Sequence, residues 1–277
     1  LRPLVAHARR VVRNHRVTIA NRVLEPLRSR HGDRALARVA RCFANYLGDD
    51  PSRPASPAQR PLFLYFPGLP ETPYFDRALF PWYAALEDSW RTITEEMERA
   101  LEEDLELVPF LGPPDPAGPS CLAAHGTAAA RWDGLFFHRH GKRFDRSCAR
   151  CPATVAALES LPLVHVPDHS PETLFSVLGP GSHILPHTGV TNTRTVTPLP
   201  LVVPRDCAIS VAGQLHEWRP GRCISFDDTF EHEAWNRSDE VRVILLFDVW
   251  NPHLDEVERE AITRFVATIG DPRAMAD

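Results

Sequence analysis

Short hydrophobic runs that alternate with turn residues fill the chain from Leu135 onward, and they restrict the fold more than any other feature. β-Branched and aromatic residues dominate these runs, which are Thr173–Leu178, Leu199–Val203, Ala208–Val211, Cys223–Phe226 and Val241–Trp250. Such short runs separated by turns are typical of an antiparallel sandwich or barrel. Helical patterns precede this region, and one more follows at Leu254–Ile269. We therefore predict an α+β protein with a β-sandwich core and a closing helix.

Two helices are predicted at the N-terminus, over residues 3–29 and 33–47, because apolar residues recur there at steps of three and four. The segment His31-Gly32-Asp33 interrupts this pattern. A polar, proline-rich stretch then follows, which is typical of a linker. We divide the chain into three parts: a basic helical arm (1–48), a linker (49–61) and a main domain (62–277).

Three segments of the main domain carry local signals ahead of the β-rich region. Residues Leu62–Leu69 are predicted to form a short strand or an extended segment. Residues 80–104 show the strongest helix pattern, with apolar side chains at helical spacing and acidic side chains on the opposite face. Residues 109–128 are rich in proline, glycine and alanine, so we predict a loop there.

Positive charge is concentrated at the N-terminus of a chain whose net charge is −5. Residues 1–48 carry eleven arginines against Glu25 and Asp33, so the arm has a net charge of +9 and the remainder −14. We favour amphipathic helices with solvated arginine faces, and a membrane surface is the less favoured alternative partner. Nucleic acid is not expected as a partner, because no aromatic residue is interleaved with the arginines before Phe43.

The composition is that of a soluble globular protein, with 43% hydrophobic and 24% charged residues. No apolar run approaches the ~20 residues of a membrane span. Six cysteines are too few for a dense disulfide framework in 277 residues, so we expect reduced thiols and a cytoplasmic location. Lys142 is the one lysine against 30 arginines, which together with 27 prolines indicates a GC-rich bacterial genome.

Two segments of the β-rich region contain histidines that are candidates for one metal site. The first is GSHILPHTG, in which Pro186 separates His183 from His187 and argues against a helix that carries both on one face. The second is FDDTFEHEAWN, in which His232 lies among acidic and aromatic residues. Distant strands of a sandwich can face each other across its mouth. His187 and His232 are therefore a candidate pair of ligands for Fe, Zn, Cu or Ni.

Spacing alone favours ordinary polar histidines over a metal site. The facial triad of iron oxygenases has a carboxylate two residues after the first histidine, and here that residue is Gly189, which cannot ligate. Cys148 and Cys151, with histidines nearby at 138 and 140, form a second candidate, for structural zinc. Ordinary thiols are the favoured interpretation of that cluster, and an ordinary strand residue is the favoured interpretation of His183.

The surrounding sequence resembles the aspartyl/asparaginyl β-hydroxylase family over about residues 62–258. The resemblance rests on motifs in order, namely Pro67-Gly-Leu-Pro, Cys151-Pro-Ala-Thr154, the His-Thr-Gly segment and the Phe-Asp-Asp-x-x-x-His segment. It implies a double-stranded β-helix (jelly-roll, cupin-like) core with N-terminal and flanking helices. It also implies an oxygenase that depends on Fe(II), 2-oxoglutarate and O2. The missing carboxylate is a trait of this family, whose members hold iron with two histidines.

The resemblance assigns four residues to the metal and the cosubstrate. His187 and His232 are the implied metal ligands. Arg242 is implied to grip the distal carboxylate of 2-oxoglutarate in a bidentate fork that a lysine cannot reproduce, and Ser176 to support the same carboxylate. Strand alternation puts Arg242 on the face opposite Val243, which fits this role better than a solvent-facing position.

On the substrate side, Arg194 matches one of two family arginines, and Trp132 matches a tryptophan near the pocket, although a core position suits Trp132 equally well. Two positions depart from the family. Val196 replaces the second arginine, and Pro198 replaces a histidine that holds the proximal carboxylate of 2-oxoglutarate. Because proline supplies neither a donor nor a charge, we expect weakened cosubstrate binding, with Arg194 as the nearest replacement donor.

These inferences predict an enzyme, a dioxygenase that hydroxylates an aspartyl or asparaginyl residue or a similar amino acid, free or on a peptide or carrier. No catalytic residue is predicted beyond the metal ligands. An acidic neighbour such as Asp227 or Asp228 is expected to orient His232. Two alternatives stay open: a catalytically silent binding module, motivated by Pro198, and a hydroxylase of lipid acyl chains, motivated by the basic arm.

Overall fold

The structure is a computed structural model that describes residues 2–103, 107–110, 121–125 and 129–270. The helices of this part are α1 (Arg2–Ala35), α2 (Ala37–Leu47), α3 (Tyr83–Asp88), α4 (Trp90–Glu102), α5 (Asp145–Arg150), α6 (Pro152–Glu159) and α7 (Glu256–Gly270), with a 3-10 turn at Arg77–Leu79. The strands are β1 (Val108–Pro109), β2 (Leu122–Ala124), β3 (Trp132–Arg139), β4 (Lys142–Arg143), β5 (Thr173–Leu178), β6 (Ser182–His187), β7 (Arg194–Val202), β8 (Cys207–Val211), β9 (Gln214–Glu217), β10 (His232–Asn236) and β11 (Arg242–Trp250).

The strands form two antiparallel sheets. The larger has the order β1-β3-β5-β11-β7, with β4 beside β3, and the smaller has the order β2-β6-β10-β8-β9. From β5 onward the chain moves back and forth between the two sheets, since β5, β7 and β11 lie in the larger one and β6, β8 and β10 in the smaller one. This connectivity is the double-stranded β-helix, so the predicted α+β jelly-roll fold is confirmed.

The predicted strand Cys223–Phe226 runs beside β7 but pairs with it only through an isolated bridge between Val196 and Phe226. The amide of Ile224 donates to the carbonyl oxygen of Pro198, 3.4 Å away. Because Pro198 and Pro200 have no N–H to return, the ladder on this side of β7 stays incomplete. The sequence therefore predicted the position of this segment correctly, but the segment does not form a regular strand.

The larger sheet packs one face on the helices and turns the other toward the smaller sheet. Val243, Leu245 and Phe247 of β11 belong to the helix-side core, together with Ile93 and Met97 of α4. The alternate residues of β11 face the space between the sheets, where a separate apolar cluster continues from the smaller sheet. The side chains of β11 therefore alternate between the two faces of the sheet as the sequence predicted.

The N-terminal helices pack on the closing helix. Leu27 of α1 and Phe43 of α2 share a buried cluster with Phe265 of α7, and the rings of Phe43 and Phe265 stack with centroids 3.9 Å apart. The predicted break between the first two helices is a kink at Gly32, whose φ of 78° suits glycine. The division of the chain at residues 48 and 61 stays a prediction, although the linker residue Gln59 is buried.

Three local predictions need correction. The helix predicted over 80–104 is two helices that meet at Ser89. Residues Leu62–Leu69, predicted to be a short strand or an extended segment, form one isolated parallel bridge from Leu64 to Thr191 between bends at 62–63 and a turn at 67–68, so they contain neither a regular strand nor a continuous extended segment. Within the segment predicted as a loop, Leu122–Ala124 pairs with β6 as a strand, and residues 111–120 and 126–128 lie outside the described part. No helix of the described residues is long and apolar enough to cross a membrane.

Candidate active site

His187 and His232 lie directly opposite each other on the antiparallel strands β6 and β10, and their ring centroids are 4.1 Å apart. The Nδ1 atom of His187 is 2.8 Å from the carbonyl oxygen of Leu185, and that of His232 is 2.9 Å from the carbonyl oxygen of Phe230. Because a carbonyl oxygen only accepts, each Nδ1 carries the proton. Both Nε2 atoms therefore keep their lone pairs for one metal ion.

The electrostatics of His232 favour the neutral ring that a metal requires. Burial, followed by the proximity of His187, lowers the pKa of His232 to about 4. The ring is therefore neutral near pH 7. A bulge between His232 and Ala234 disturbs the pairing of β10 with β6 next to this ring. Bulges of this kind re-aim a side chain beside a site.

A cavity of about 350 Å³ between the two sheets contains every residue to which the sequence assigned a role. Apolar side chains from both sheets form most of the remaining wall. Pro198 and Val196, the two departures from the family pattern, also line it. The six assigned residues that line this cavity are His187, His232, Arg242, Ser176, Arg194 and Trp132.

Arg242 is a buried cation that has no ion pair or side-chain hydrogen bond with any described residue. It is 2% exposed, and within the described part of the chain its Nε and Nη2 atoms have no hydrogen-bond partner. No described carboxylate forms an ion pair with it, and burial lowers its pKa to about 10, so it remains charged at neutral pH. An isolated buried charge costs several kcal/mol. This side chain is therefore placed to bind an anionic ligand.

Ser176 lies next to Arg242 in the larger sheet, since its pairing partner Ile244 is two residues along β11. The indole Nε1 of Trp132 donates to the Ser176 hydroxyl at 2.9 Å. Because indole only donates, the serine keeps its own proton for a second acceptor. Trp132 also stacks on Phe110, with ring centroids 4.1 Å apart. Trp132 therefore both lines the cavity and orients Ser176.

Arg194 is engaged by two carboxylates. Its Nη2 is 3.0 Å from Asp228, and its Nη1 forms a short ion pair with Asp248. Burial by itself lowers the pKa of Arg194, but the charges of Asp248 and Asp228 outweigh it and raise the pKa above the ordinary value. The sequence analysis missed Asp248. The alternation of side chains along β11 that places Arg242 in the cavity also places Asp248 there, so the sequence contained a signal for this residue.

Asp228 occupies the space beside Gly189. The Gly189 amide donates to the backbone oxygen of Asp228 at 2.6 Å, and a Cβ on residue 189 would lie within 3.0 Å of the Asp228 carboxylate. Oδ1 of Asp228 is buried without a partner. No group of three or more His, Cys, Asp or Glu side chains suited to a metal occurs in the described chain. The histidine pair is therefore the ligand set that the geometry offers.

The other candidate groups have ordinary partners. The Cys148 thiol donates to the carbonyl oxygen of Phe137, and burial raises the pKa of Cys151 to about 12. His183 pairs with Glu233 at 2.7 Å. The neighbour of Asp228 is also buried: Asp227 accepts hydrogen bonds from the side chains of Gln59 and Thr229. These groups support the fold around the cavity.

The family model described as "Aspartyl/Asparaginyl beta-hydroxylase" matches residues 87–252, a range that contains all six cavity residues. The chain belongs to the aspartyl/asparaginyl β-hydroxylase family. The resemblance read from the motifs is thereby confirmed, and the site lies inside the part of the chain that defines the family.

Members of the family from bacteria and animals are similar to this chain. An ornithine lipid ester-linked acyl 2-hydroxylase of Rhizobium tropici is 32% identical over 194 residues, which cover 69% of this chain and 65% of that protein. Human aspartate β-hydroxylase domain-containing protein 2 is 33% identical over 215 residues, or 76% and 55% of the two chains. Human aspartyl/asparaginyl β-hydroxylase is 34% identical over 132 residues, or 47% and 17%. The chain thus spans less than two thirds of the length of these relatives.

Among solved structures, a Pseudomonas putida prolyl-4-hydroxylase is similar at a TM-score of 0.35 and 14% identity, over 61% of this chain and 98% of that one. A cupin-2 domain of Rhodospirillum rubrum is similar at 0.27 and 12% identity, over 56% and 84%. Likenesses at these scores carry no argument about function. The assignment of the family therefore rests on the sequence match.

Proposed function

We propose that this family member is a dioxygenase that holds Fe(II) through His187 and His232 and consumes 2-oxoglutarate and O2. One observation carries the proposal: two imidazoles whose Nδ1 atoms face backbone carbonyl oxygens, and whose Nε2 atoms are thus available to a metal, share a cavity with Arg242, a buried cation that has no ion pair with a described residue. Imidazole nitrogen is a ligand that suits iron. When bound, the iron supplies the oxidative chemistry that replaces a C–H bond of the substrate by C–OH.

The protein's own contribution is to bind and orient the cosubstrate. Arg242 supplies the positive charge for the distal carboxylate of 2-oxoglutarate, and the free hydroxyl proton of Ser176 supplies a second donor. Pro198 lines the same cavity opposite Leu246, four residues along β11 from Arg242, and offers no donor. Cosubstrate binding therefore depends on the Arg242 end of the cavity.

Asp228 supplies negative charge beside the two histidines. Its charge acts on His232, and its carboxylate is held in place by the ion pair with Arg194 and by the close approach of Gly189. A nearby carboxylate partly balances a divalent cation that has only neutral protein ligands. We infer that Asp228 stabilises the charged site from outside the ligand set.

The first candidate substrate is an aspartyl or asparaginyl residue or a similar amino acid. The names of the human relatives support it, as does the position of Arg194 on the cavity wall. The second candidate is a lipid acyl chain. The observation that favours it is that Arg194 already forms ion pairs with two carboxylates, so it is less available to a carboxylate of the substrate. The Rhizobium relative is named for an acyl substrate.

The test of the proposal is the release of succinate from 2-oxoglutarate in the presence of Fe(II), with panels of amino acids, peptides and lipids. We expect slow release without a second substrate and faster release with the correct one. The Arg242→Leu variant is the control, because it keeps both histidines. If the Mn(II)-loaded protein binds no 2-oxoglutarate at millimolar concentration, the chain is a silent binding module and the proposal is wrong.

A further inference from the structure

A second cavity, of about 700 Å³, adjoins the cavity that contains the histidines. We call it the outer cleft, and we call the cavity with the histidines the inner cavity. The charged residues that line both cavities are Glu172, Arg194 and Asp248, which we call the junction. A substrate that enters the inner cavity from the outer cleft therefore passes two carboxylates and one guanidinium group.

Negative charge exceeds positive charge around the junction. Arg194 forms ion pairs with both Asp228 and Asp248. Glu172 interacts electrostatically with Arg194 and with Asp248. Arg139 of the outer cleft also interacts with Glu172, so three carboxylates face two guanidinium groups. Counted over these carboxylates and guanidinium groups, the excess is one negative charge.

Each carboxylate of the junction has one oxygen that the protein does not use. Oε1 of Glu172 accepts from the His140 amide at 2.6 Å and lies 3.0 Å from Nδ1 of His140, an imidazole that is 68% exposed and screened by solvent. Oδ2 of Asp248 pairs with Arg194. No hydrogen bond from a described residue reaches the second oxygen of either carboxylate. These two oxygens are acceptors for a donor on a ligand, and a charged donor forms the stronger hydrogen bond.

A buried oxygen without a partner extends this negative surface into the inner cavity. Oδ1 of Asp228 has no hydrogen-bond partner within the described part of the chain, and the residue is 6% exposed. Asp228 lines the inner cavity, and its Oδ2 holds Arg194 of the junction. A buried acceptor that lacks a donor destabilises the protein. A cationic ligand beside the junction reduces this cost.

The remaining walls of the outer cleft suit an apolar group. Trp250 contributes from β11, and Val164 and Val166 contribute from the segment that follows α6. Residues 262, 266 and 269 of α7, at spacings of four and three, present Ile, Val and Ile to the same space. A ligand that fills this space and reaches the junction is therefore apolar over most of its length and polar at one point.

An anionic group of the substrate finds no free arginine in this region. Arg194 is paired twice, and Arg139 donates to the Phe110 carbonyl oxygen at 2.9 Å. Val196 stands where the family has a second arginine. Arg242, the cation without an ion pair to a described residue, is assigned to the cosubstrate. The charges around the junction thus favour a cationic group of the substrate over a carboxylate.

We propose that Glu172 and Asp248 bind an ammonium group of the second substrate, a molecule whose apolar part occupies the outer cleft. The ammonium donates to the unused oxygens of the two carboxylates. Glu172 determines the specificity, because no described arginine forms an ion pair with it, whereas Asp248 is paired with Arg194. The site is inferred from the cavities and their charges, and the statement that its ligand is the substrate rests on the proposed function.

The site is tested on the full chain, without metal or cosubstrate, by calorimetric titration with three ligands of equal chain length: hexylamine, 1-hexanol and hexanoate. Hexylamine, like a lysine side chain, is charged at neutral pH. We expect hexylamine to bind about tenfold more tightly than 1-hexanol, and hexanoate to bind more weakly than 1-hexanol. Equal affinities for the amine and the alcohol would overturn the proposal.

Glu172→Gln is expected to remove the preference for the amine and to leave the affinity for 1-hexanol unchanged. Glutamine keeps the size of the side chain and the oxygen that accepts from the His140 amide. Glu159→Gln is the matched control, because the Glu159 side chain is 63% exposed on α6 and lines neither cavity. An amine preference that persists in the Glu172→Gln protein would refute the role of Glu172.

A second pair of variants tests the outer cleft without changing a charge at the junction. Val266→Trp fills the cleft and should weaken the binding of hexylamine and 1-hexanol alike, by about tenfold. Arg264→Trp adds the same ring on the exposed side of α7 and should have little effect. Equal affinities for hexylamine in the two proteins would place the ligand outside the cleft and contradict the proposal.

Succinate release by the Fe(II)-loaded protein separates this inference from the proposed function. Release that apolar amines accelerate, with a KM that Glu172→Gln raises, supports both. Release that carboxylates or lipids accelerate equally in the Glu172→Gln protein retains the dioxygenase and refutes the cationic substrate. Amine binding that depends on Glu172, without 2-oxoglutarate binding or succinate release, refutes the dioxygenase and retains the amine site.

Discussion

The carboxylate of Asp228 lies against the α-carbon of Gly189, in the space that any Cβ at residue 189 would need. The same carboxylate is held by Arg194 at 3.0 Å. Residue 189 is the position at which a facial triad would supply its third ligand. The packing of Asp228 thus explains why glycine is required here, and it puts a negative charge near the histidines without a third ligand in the chain.

Gly189→Ala is expected to destabilise the fold by about 1–3 kcal/mol, because the new methyl group overlaps the Asp228 carboxylate. The measurement is urea unfolding of the metal-free protein. The double variant Gly189→Ala/Asp228→Ala removes the overlap, so its cost should be smaller than the sum of the two single costs. Strictly additive costs would show that the two residues do not interact.

His187→Ala and His232→Ala should each abolish tight binding of Fe(II) or Mn(II), because one ligand alone then remains. Calorimetric titration with Mn(II) under anaerobic conditions measures the stoichiometry. His183→Ala is the matched control from the same strand, since its side chain pairs with Glu233. One metal ion per chain in both single variants would refute the ligand assignment.

Arg242→Leu should weaken 2-oxoglutarate binding by about 30- to 1000-fold, or roughly 2–4 kcal/mol, through loss of a charge-assisted contact. The same change should leave stability unaltered or higher, because it removes a buried charge without a counter-ion. Titration of the Mn(II)-loaded protein and urea unfolding report the two effects. Arg237→Leu, at an exposed position of the smaller sheet's flank, is the control. Unchanged cosubstrate affinity in Arg242→Leu contradicts the proposal.

Pro198→His should tighten 2-oxoglutarate binding by about 10- to 100-fold, since an added donor can reach the proximal carboxylate. Arg194 does not offer this donor freely, because Asp228 and Asp248 already accept from it. The carbonyl oxygen of residue 198 keeps its bond from Ile224, so the fold tolerates the change. The check is a titration of both Mn(II)-loaded proteins. Equal affinities of the two proteins for 2-oxoglutarate would show that Pro198 does not weaken cosubstrate binding.

Asp227 should contribute stability that is present below about pH 4 and is lost as pH rises to about 7, opposite in sign to the contribution of His232, whose lowered pKa favours the folded state as pH rises from about 4. Burial raises the pKa of this carboxyl to about 7, so the folded state binds more protons than the unfolded state in that window. Proton release on the way to pH 7 therefore disfavours the folded state, by roughly 2–4 kcal/mol. Urea unfolding at several pH values measures the slope.

Asp227→Asn is the control for this slope, because it keeps the shape and removes the charge. The Gln59 amide donates to Asp227 and its Oε1 has no partner, so a rotated Gln59 can accept from the new asparagine. We expect the free energy of unfolding of this variant to rise relative to that of the unsubstituted protein as pH increases from about 4 to 7, because the variant lacks the contribution of Asp227. A slope equal to that of the unsubstituted protein would show that Asp227 is charged across the whole window.

Through its resemblance to the family, the sequence by itself predicted six of the residues that meet in the cavity, and its alternation along β11 predicted the face on which Arg242 lies, although Asp248 was missed. Val243 and Leu245 alternate with Arg242 along β11, and burial of one face of a strand turns the other toward the space between the sheets. The histidine motifs and their order were sufficient to predict the family and the jelly-roll fold. Local alternation and motif spacing are properties of neighbouring residues, so a single sequence expresses them.

The tertiary structure decided the relationships that depend on distant parts of the chain. The pairing of Arg194 with Asp228 and Asp248 joins three segments far apart in sequence. Arg194, which the sequence predicted to bind the substrate, is therefore already paired with two carboxylates of the protein. Trp250 of β11 and Ile262 of α7 line one cavity beside Arg194, and Phe63 donates to the carbonyl oxygen of Val190 at 2.9 Å. Such contacts follow from the closure of the two sheets and the packing of helices on them, which local sequence patterns do not encode.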